Sequence, residues 1–297
     1  FILWVESVEQ FATHLTGAGT DSHLALLMVS IALGATYEHQ GSCEQHTGVR
    51  PESRAGKRCW CLRLHVHGRT GTLDGWDHRT IGPAAQALWA NYFDKRPDEP
   101  IVVLLFNGTE SYDHYSHALF GDEGISVFGY YKPRQRTLVM NISTGGGTLL
   151  HELTHALADF DCPKIPDWLN EGLASLHEQA RLTDAPPRIE GLLNWRLPVL
   201  RDAIDRDRLR TLEELTTGDD FRGTDEGVNY AHARYFCLYM QQQGVLRDYY
   251  RIFHASRAHD PTGADSVLEA FDGISWQELD TSFREWVAGL EGPPQDG

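Results

Sequence analysis

Basic residues are scarce in this chain. No Lys or Arg precedes Arg50, and 26 in all face 42 acidic residues, for a net charge of −16. That balance excludes nucleic acid as a partner, because its phosphates would be repelled. It disfavours an anionic membrane surface for the same reason. The basic n-region of a secretory signal is also missing, although residues 24–33 (LALLMVSIAL) have the length of a signal's apolar core. Ten apolar residues are too short for a bilayer, so no stable membrane insertion is expected and the run reads as a buried helix. The chain begins at Phe1 without methionine, as expected of a processed or trimmed polypeptide. The compartment stays open, with a secreted or periplasmic location after signal removal among the options.

Cysteine is sparse as well. Cys43, Cys59, Cys61, Cys162 and Cys237 are odd in number and scattered, which is no disulfide framework. On a strand, Cys59 and Cys61 would share a face with His65 and His67, a conceivable second metal site. Alternating inward positions, or one cysteine paired with Cys43, explain the pattern more simply. Internal repeats and low-complexity tracts are absent. Three glycines at 145–147 suggest a phosphate loop, but no Gly-Lys-Ser/Thr follows, and a flexible lead into the next helix is the simpler account.

What is present suits one large domain, or a domain with an appended subdomain, with 41% hydrophobic residues for its core. Residues 1–40 read as helical, and the polar, Gly- and Pro-containing 41–57 as a linker. Alternation over 61–67 predicts a half-buried strand; continuous apolar residues over 101–106 predict a buried one. Further strands are expected at 128–131 and 137–142, and helices at 81–93 and 111–120. His114 and His117 fall on the solvent side of the latter. After Glu171 the pattern is almost wholly helical, at 168–179, 192–205, 212–216, 230–242, 246–253, 264–271 and 276–290. This order predicts an α+β fold: a small mixed sheet followed by a mainly helical C-terminal subdomain. The expected division is an extension and linker at 1–57, a main domain at 58–292 (58–160 sheet-containing, 161–292 helical) and a disordered tail at 293–297.

The chemistry concentrates in residues 148–171, TLLHELTHALADFDCPKIPDWLNE. His151-Glu152-Leu153-Thr154-His155 is an H-E-x-x-H sequence, and residues four apart on a helix share a face. His151 and His155 can therefore offer two ring nitrogens to one ion. Glu152 lies about 100° round the helix, able to reach a water without ligating the ion. Thr148 is a candidate N-cap, and Leu149, Leu153, Ala156 and Phe160 form an apolar stripe opposite the histidines. Cys162-Pro163 should end this helix, and Asp167 can cap the next, which carries Glu171 in its first turn. Two imidazoles and one carboxylate leave a fourth position open, the pattern of a catalytic Zn²⁺ site. Asp161, six residues after His155, is the rival third ligand. That spacing resembles metzincin-type proteins, which need a helix-breaking glycine three residues after the second histidine; Ala158 stands there, and no Met-turn follows, since Met240 lies inside a helical pattern. Glu171 is favoured.

HELTH followed by WLNEGLA resembles the gluzincin metallopeptidases, and more narrowly the poorly characterised bacterial peptidase-like families of that clan with a W-L-x-E-G motif. The likeness runs from about Cys59 to Trp286. It implies a zincin-like fold, His151, His155 and Glu171 around zinc, Glu152 as general base, and peptide or protein substrates. One sheet strand would border the cleft, its exposed edge able to pair with an extended peptide. Better-known members carry an aspartate four residues after the ligand glutamate; here that position is Ser175, so the histidines must be oriented differently. The G-x-M-E-N motif of the clan's aminopeptidases is missing, which tilts the expectation towards an endopeptidase. A tyrosine beginning a comparable helix serves the clan as oxyanion donor, and Tyr230, after the polar 218–227 loop, matches it. His232 and Tyr235 are the alternatives. Competing readings are a catalytically idle metal-binding domain and a hydrolase of a non-peptide amide or ester.

Overall fold

Strand β1 (Leu26–Ile31) pairs antiparallel with β3 (Ile101–Phe106) over its whole length, Leu26 opposite Phe106 and Ile31 opposite Ile101. The helical expectation for this run is therefore corrected. A short apolar stretch fits a strand or a buried helix equally by periodicity, and an open neighbouring strand decides the matter. The boundary expected at residue 57 falls between strands of one sheet. The computed structural model describes residues 26–31, 63–64, 78–95, 97, 101–106, 108–121, 126–184 and 187–292. The expectations for Cys43, Cys59, Cys61, His65, His67 and the 293–297 tail lie outside these residues.

The sheet has five strands in the order β2-β1-β3-β5-β4, with β2 at Arg63–Leu64, β4 at Gly129–Lys132 and β5 at Thr137–Asn141. Among the described strands only β3 and β5 run parallel, Val103 opposite Leu138 and Leu105 opposite Met140. Both faces are covered, which is why β3 reads as unbroken apolar sequence. Val103, Leu105, Leu138 and Met140 face the main core, shared by helices α1 (His78–Tyr92) and α3 (Gly147–Asp161). Leu104, Phe106 and Val139 face the other way, against Tyr112 of α2 (Thr109–Phe120), whose His114 and His117 are exposed as expected.

After α3 the chain turns through Cys162 and Pro163 into α4 (Asp167–Leu176). A hairpin follows, β6 (Ala180–Asp184) with β7 (Pro187–Gly191), Leu182 opposite Ile189. The helical reading of this half missed it, because ten residues alternating weakly around two prolines carry little periodic signal. The remainder is helical: α5 (Leu197–Asp205), α6 (Leu212–Thr217), α7 (Glu226–Gln242), α8 (Leu246–Ser256), α9 (Ala264–Ala270) and α10 (Trp276–Gly289). Capping boxes start two of them, Thr211 with Glu214 and Ser275 with Glu278. Buried α7 forms the axis of this half and packs closely on α4. The architecture is α+β, with a small mixed sheet and a mainly helical C-terminal half. Among the described residues no helix is long and apolar enough to cross a membrane.

Candidate metal centre

Helix α3 starts two residues earlier than its sequence suggests. Gly146 is the N-cap and Thr148 lies within the first turn, so Thr148 is not the cap. Gly147, at the helix start, lies against the Glu178 backbone: a Cβ there would collide with the Glu178 carbonyl. The third glycine is thus a packing requirement as well as a flexible lead. Leu149, Leu153 and Ala156 are buried as expected, and the opposite face of α3 turns His151, Glu152 and His155 into a cleft of about 850 Å³. Helix α4 enters the same space. Its N-cap is Pro166 rather than Asp167, and Glu171 is buried.

Three atoms converge there. His151 Nε2 and His155 Nε2 are 3.0 Å apart, and Glu171 Oε2 is 3.4 Å from each. Metal–ligand bonds of about 2.0–2.2 Å in tetrahedral geometry place neighbouring donors roughly 3.3–3.5 Å apart. The triangle fits one face of such a site. Glu171 Oε2 is buried without a hydrogen-bond partner, an expense that a cation between these atoms would remove. Burial pushes the Glu171 carboxyl up, but the two histidines outweigh it and hold it well below the usual carboxylate range. Burial alone would lower His151; the adjacent carboxylates of Glu171 and Glu178 and the nearby Glu152 charge raise it to about 10.

The acceptors behind the two histidines are Asn170 and Glu178. Asn170 Oδ1 lies 2.9 Å from His155 Nδ1, and Glu178 Oε1 lies 3.2 Å from His151 Nδ1. An acceptor opposite each Nδ1 keeps the proton there and turns the Nε2 lone pair towards the ion position. Burial would raise the Glu178 carboxyl, yet contacts with His151 and Arg196 depress it to about 2. Arg196 grips it through Nε at 3.1 Å and Nη2 at 2.9 Å. Behind them, the buried Arg234 donates from Nε to the Ser175 carbonyl at 3.0 Å and from Nη2 to the Leu192 carbonyl. It thereby ties the end of α4 to the segment after β7 that carries Arg196. A carboxylate seven residues after Glu171, which the helix expected over 168–179 would put on the same face, was the one sequence signal available for Glu178. The helix ends at Leu176, and Glu178 follows in a turn. Asn170, Arg196 and Arg222 gave none, because only the tertiary fold brings them here.

Asp161 is no ligand in this arrangement. Its carboxylate is buried away from the histidines, accepting from the backbone N–H of Asp94 (2.8 Å) and Lys95 (2.6 Å) and the Tyr250 hydroxyl (2.9 Å). Met240 is buried within α7.

Glu152 sits beside the triangle and accepts from the Tyr131 backbone N–H. Burial raises its carboxyl above the usual carboxylate value, partly opposed by His151 and His155. Strand β4, at the sheet edge, lines the cleft along Gly129, Tyr130 and Tyr131. Tyr230 lies in the second turn of α7, not at its start, and also lines the cleft. Its hydroxyl accepts from Arg222 Nη1 at 3.0 Å, and burial, with the Glu171 charge, keeps the phenol protonated well above its ordinary value. The alternative donors point elsewhere. His232 is buried with its ring 5.4 Å from Phe283, and the Tyr235 hydroxyl bonds Asn194. Arg222, from the 218–225 connection, also donates from Nη2 to Glu171 Oε1.

No protein-family model matches this chain, and no curated protein matches it.

Proposed function

We propose that the protein is a zinc-dependent peptidase of the gluzincin type with a zincin-like fold, acting as an endopeptidase on peptide or protein substrates. The observation that carries this reading is the triangle of His151 Nε2, His155 Nε2 and Glu171 Oε2, with edges of 3.0–3.4 Å, beside an unligating Glu152. These three residues would hold the ion. When bound, zinc would supply a Lewis acid that polarises the scissile carbonyl and acidifies a water.

The chain's own groups do the rest. The outer edge of β4 lays an extended substrate along the cleft by strand pairing. Glu152 accepts the proton that the attacking water releases, then gives it to the amine nitrogen as the C–N bond breaks. The Tyr230 O–H donates to the carbonyl oxygen as negative charge builds there. Glu152 also favours an enzyme over an idle metal-binding domain, since a raised carboxyl beside three donors serves no ligand purpose.

A diverse peptide library, incubated with the protein before chelation, after it and after zinc is restored, tests the proposal. Cleavage lost and regained with zinc is the expected result. A zinc-loaded protein that cleaves no peptide but hydrolyses simple esters or amides would shift the substrate class.

A further inference from the structure

Arg222 has no part in the mechanism above, yet its surroundings are built to place it. The connection that carries it is pinned by its neighbour Phe221, which is buried. The Phe221 carbonyl accepts a 2.8 Å hydrogen bond from the buried Asn229 Nδ2, and its ring lies 5.3 Å from the Tyr230 ring. From that anchor the guanidinium reaches two groups of the site at once. Nη1 donates to the Tyr230 hydroxyl and Nη2 to Glu171 Oε1, while Asp167 and Glu226 stay at 4.0 and 3.8 Å.

The consequences differ at the two ends. At Glu171, Oε1 is occupied, so Oε2 alone faces the histidines. At Tyr230, a donor-only guanidinium fills a lone pair of the phenol oxygen and turns its hydrogen towards the Glu171 carboxylate. We propose that Arg222 is a positioning residue whose fork holds Glu171 to one-oxygen ligation and fixes the Tyr230 hydroxyl beside it. The inference rests on the metal-centre reading above. A lysine could not replace it, because a single ammonium lacks the fixed fork needed to serve both acceptors.

The test uses the full chain, its Arg222→Met and Arg222→Lys variants, and Tyr230→Phe. Zinc affinity is measured by chelator competition, and coordination by the visible absorption of the cobalt-substituted protein. In Arg222→Met, Glu171 is freed to bind through both oxygens. Its cobalt bands should lose the intensity of a four-coordinate centre, and zinc affinity should fall about 10–100-fold. Arg222→Lys should show the same spectral change despite keeping the charge, and Tyr230→Phe should change neither readout. An unchanged cobalt spectrum in Arg222→Met overturns the inference and leaves the metal centre standing. So does a gain in zinc affinity, which removal of a repelling charge alone would give. A parent chain that takes up neither zinc nor cobalt defeats the metal-centre reading itself. On a cleaved peptide, kcat losses of Arg222→Met and Tyr230→Phe should fall short of multiplying in the double variant. Losses that multiply overturn the Tyr230 half.

Discussion

Glu152 and Tyr230 stand within one cleft but act on opposite ends of the proposed reaction, so their substitutions should look different. Glu152→Gln preserves His151, His155 and Glu171, hence the ion, while removing the base. Activity should drop about 10²–10⁴-fold with zinc content unchanged; a zinc-loaded variant as active as the parent contradicts the assignment. Tyr230→Phe keeps the ring packed on Phe221 and loses the hydroxyl. It should lower kcat, by an amount corresponding to about 3 kcal/mol, with KM and zinc content little changed. At this scale the histidines and Glu152 were legible because helical spacing places them on one helix without knowledge of the fold. Glu171, on the next helix, was legible through the WLNEG segment and its resemblance. Asn170, Glu178 and Arg222 were not, since their roles arise from side chains meeting across separate elements. Tyr230 was legible only through a resemblance, and its alternatives His232 and Tyr235 fell once burial was known.

Between elements, two close approaches position the site. Helix α4 lies so near α7 that a Cβ on Gly172 would stand 2.9 Å from the Ala233 carbonyl oxygen and 3.0 Å from Cys237 Sγ. Gly172→Ala must push the helices apart, and overpacking of this kind costs about 1–3 kcal/mol. A lower urea midpoint with an unchanged m-value is the expected signature. Gly147→Ala acts on the site instead. It displaces the Glu178 backbone and loosens the grip on His151, so zinc affinity should fall about 10-fold. Most helices were readable from periodicity to within a turn, and β3 from its two-sided burial. The strand at Leu26–Ile31 and the Ala180–Gly191 hairpin were not, because short segments take their form from the partners they pair with.

For the whole molecule, acid should be the weak side. His232 is fully buried, neither ring nitrogen has a hydrogen-bond partner, and burial, with Arg284 and Arg210 nearby, lowers its pKa to about 3. The unfolded chain protonates it near the ordinary value of about 6.5. Below that pH the unfolded state binds the extra proton, so stability is lost progressively as pH falls from about 6.5 to 3. At the steepest part this one group contributes about 1.4 kcal/mol per pH unit. His232→Leu should flatten that limb in urea titrations at pH 4 to 7; an identical slope in both proteins would show that the ring is not buried neutral. The α+β class and the acidic balance were legible from the chain as a whole, whereas the sheet's reach back to β1 was not. The account stands or falls on who holds the ion. Zinc bound per chain, measured after exhaustive dialysis in the parent, Glu171→Ala and Asp161→Ala proteins, tests this most directly. The prediction is a single equivalent in the parent, retained in Asp161→Ala and lost in Glu171→Ala. No zinc in the parent, full zinc in Glu171→Ala, or loss in Asp161→Ala alone would contradict it.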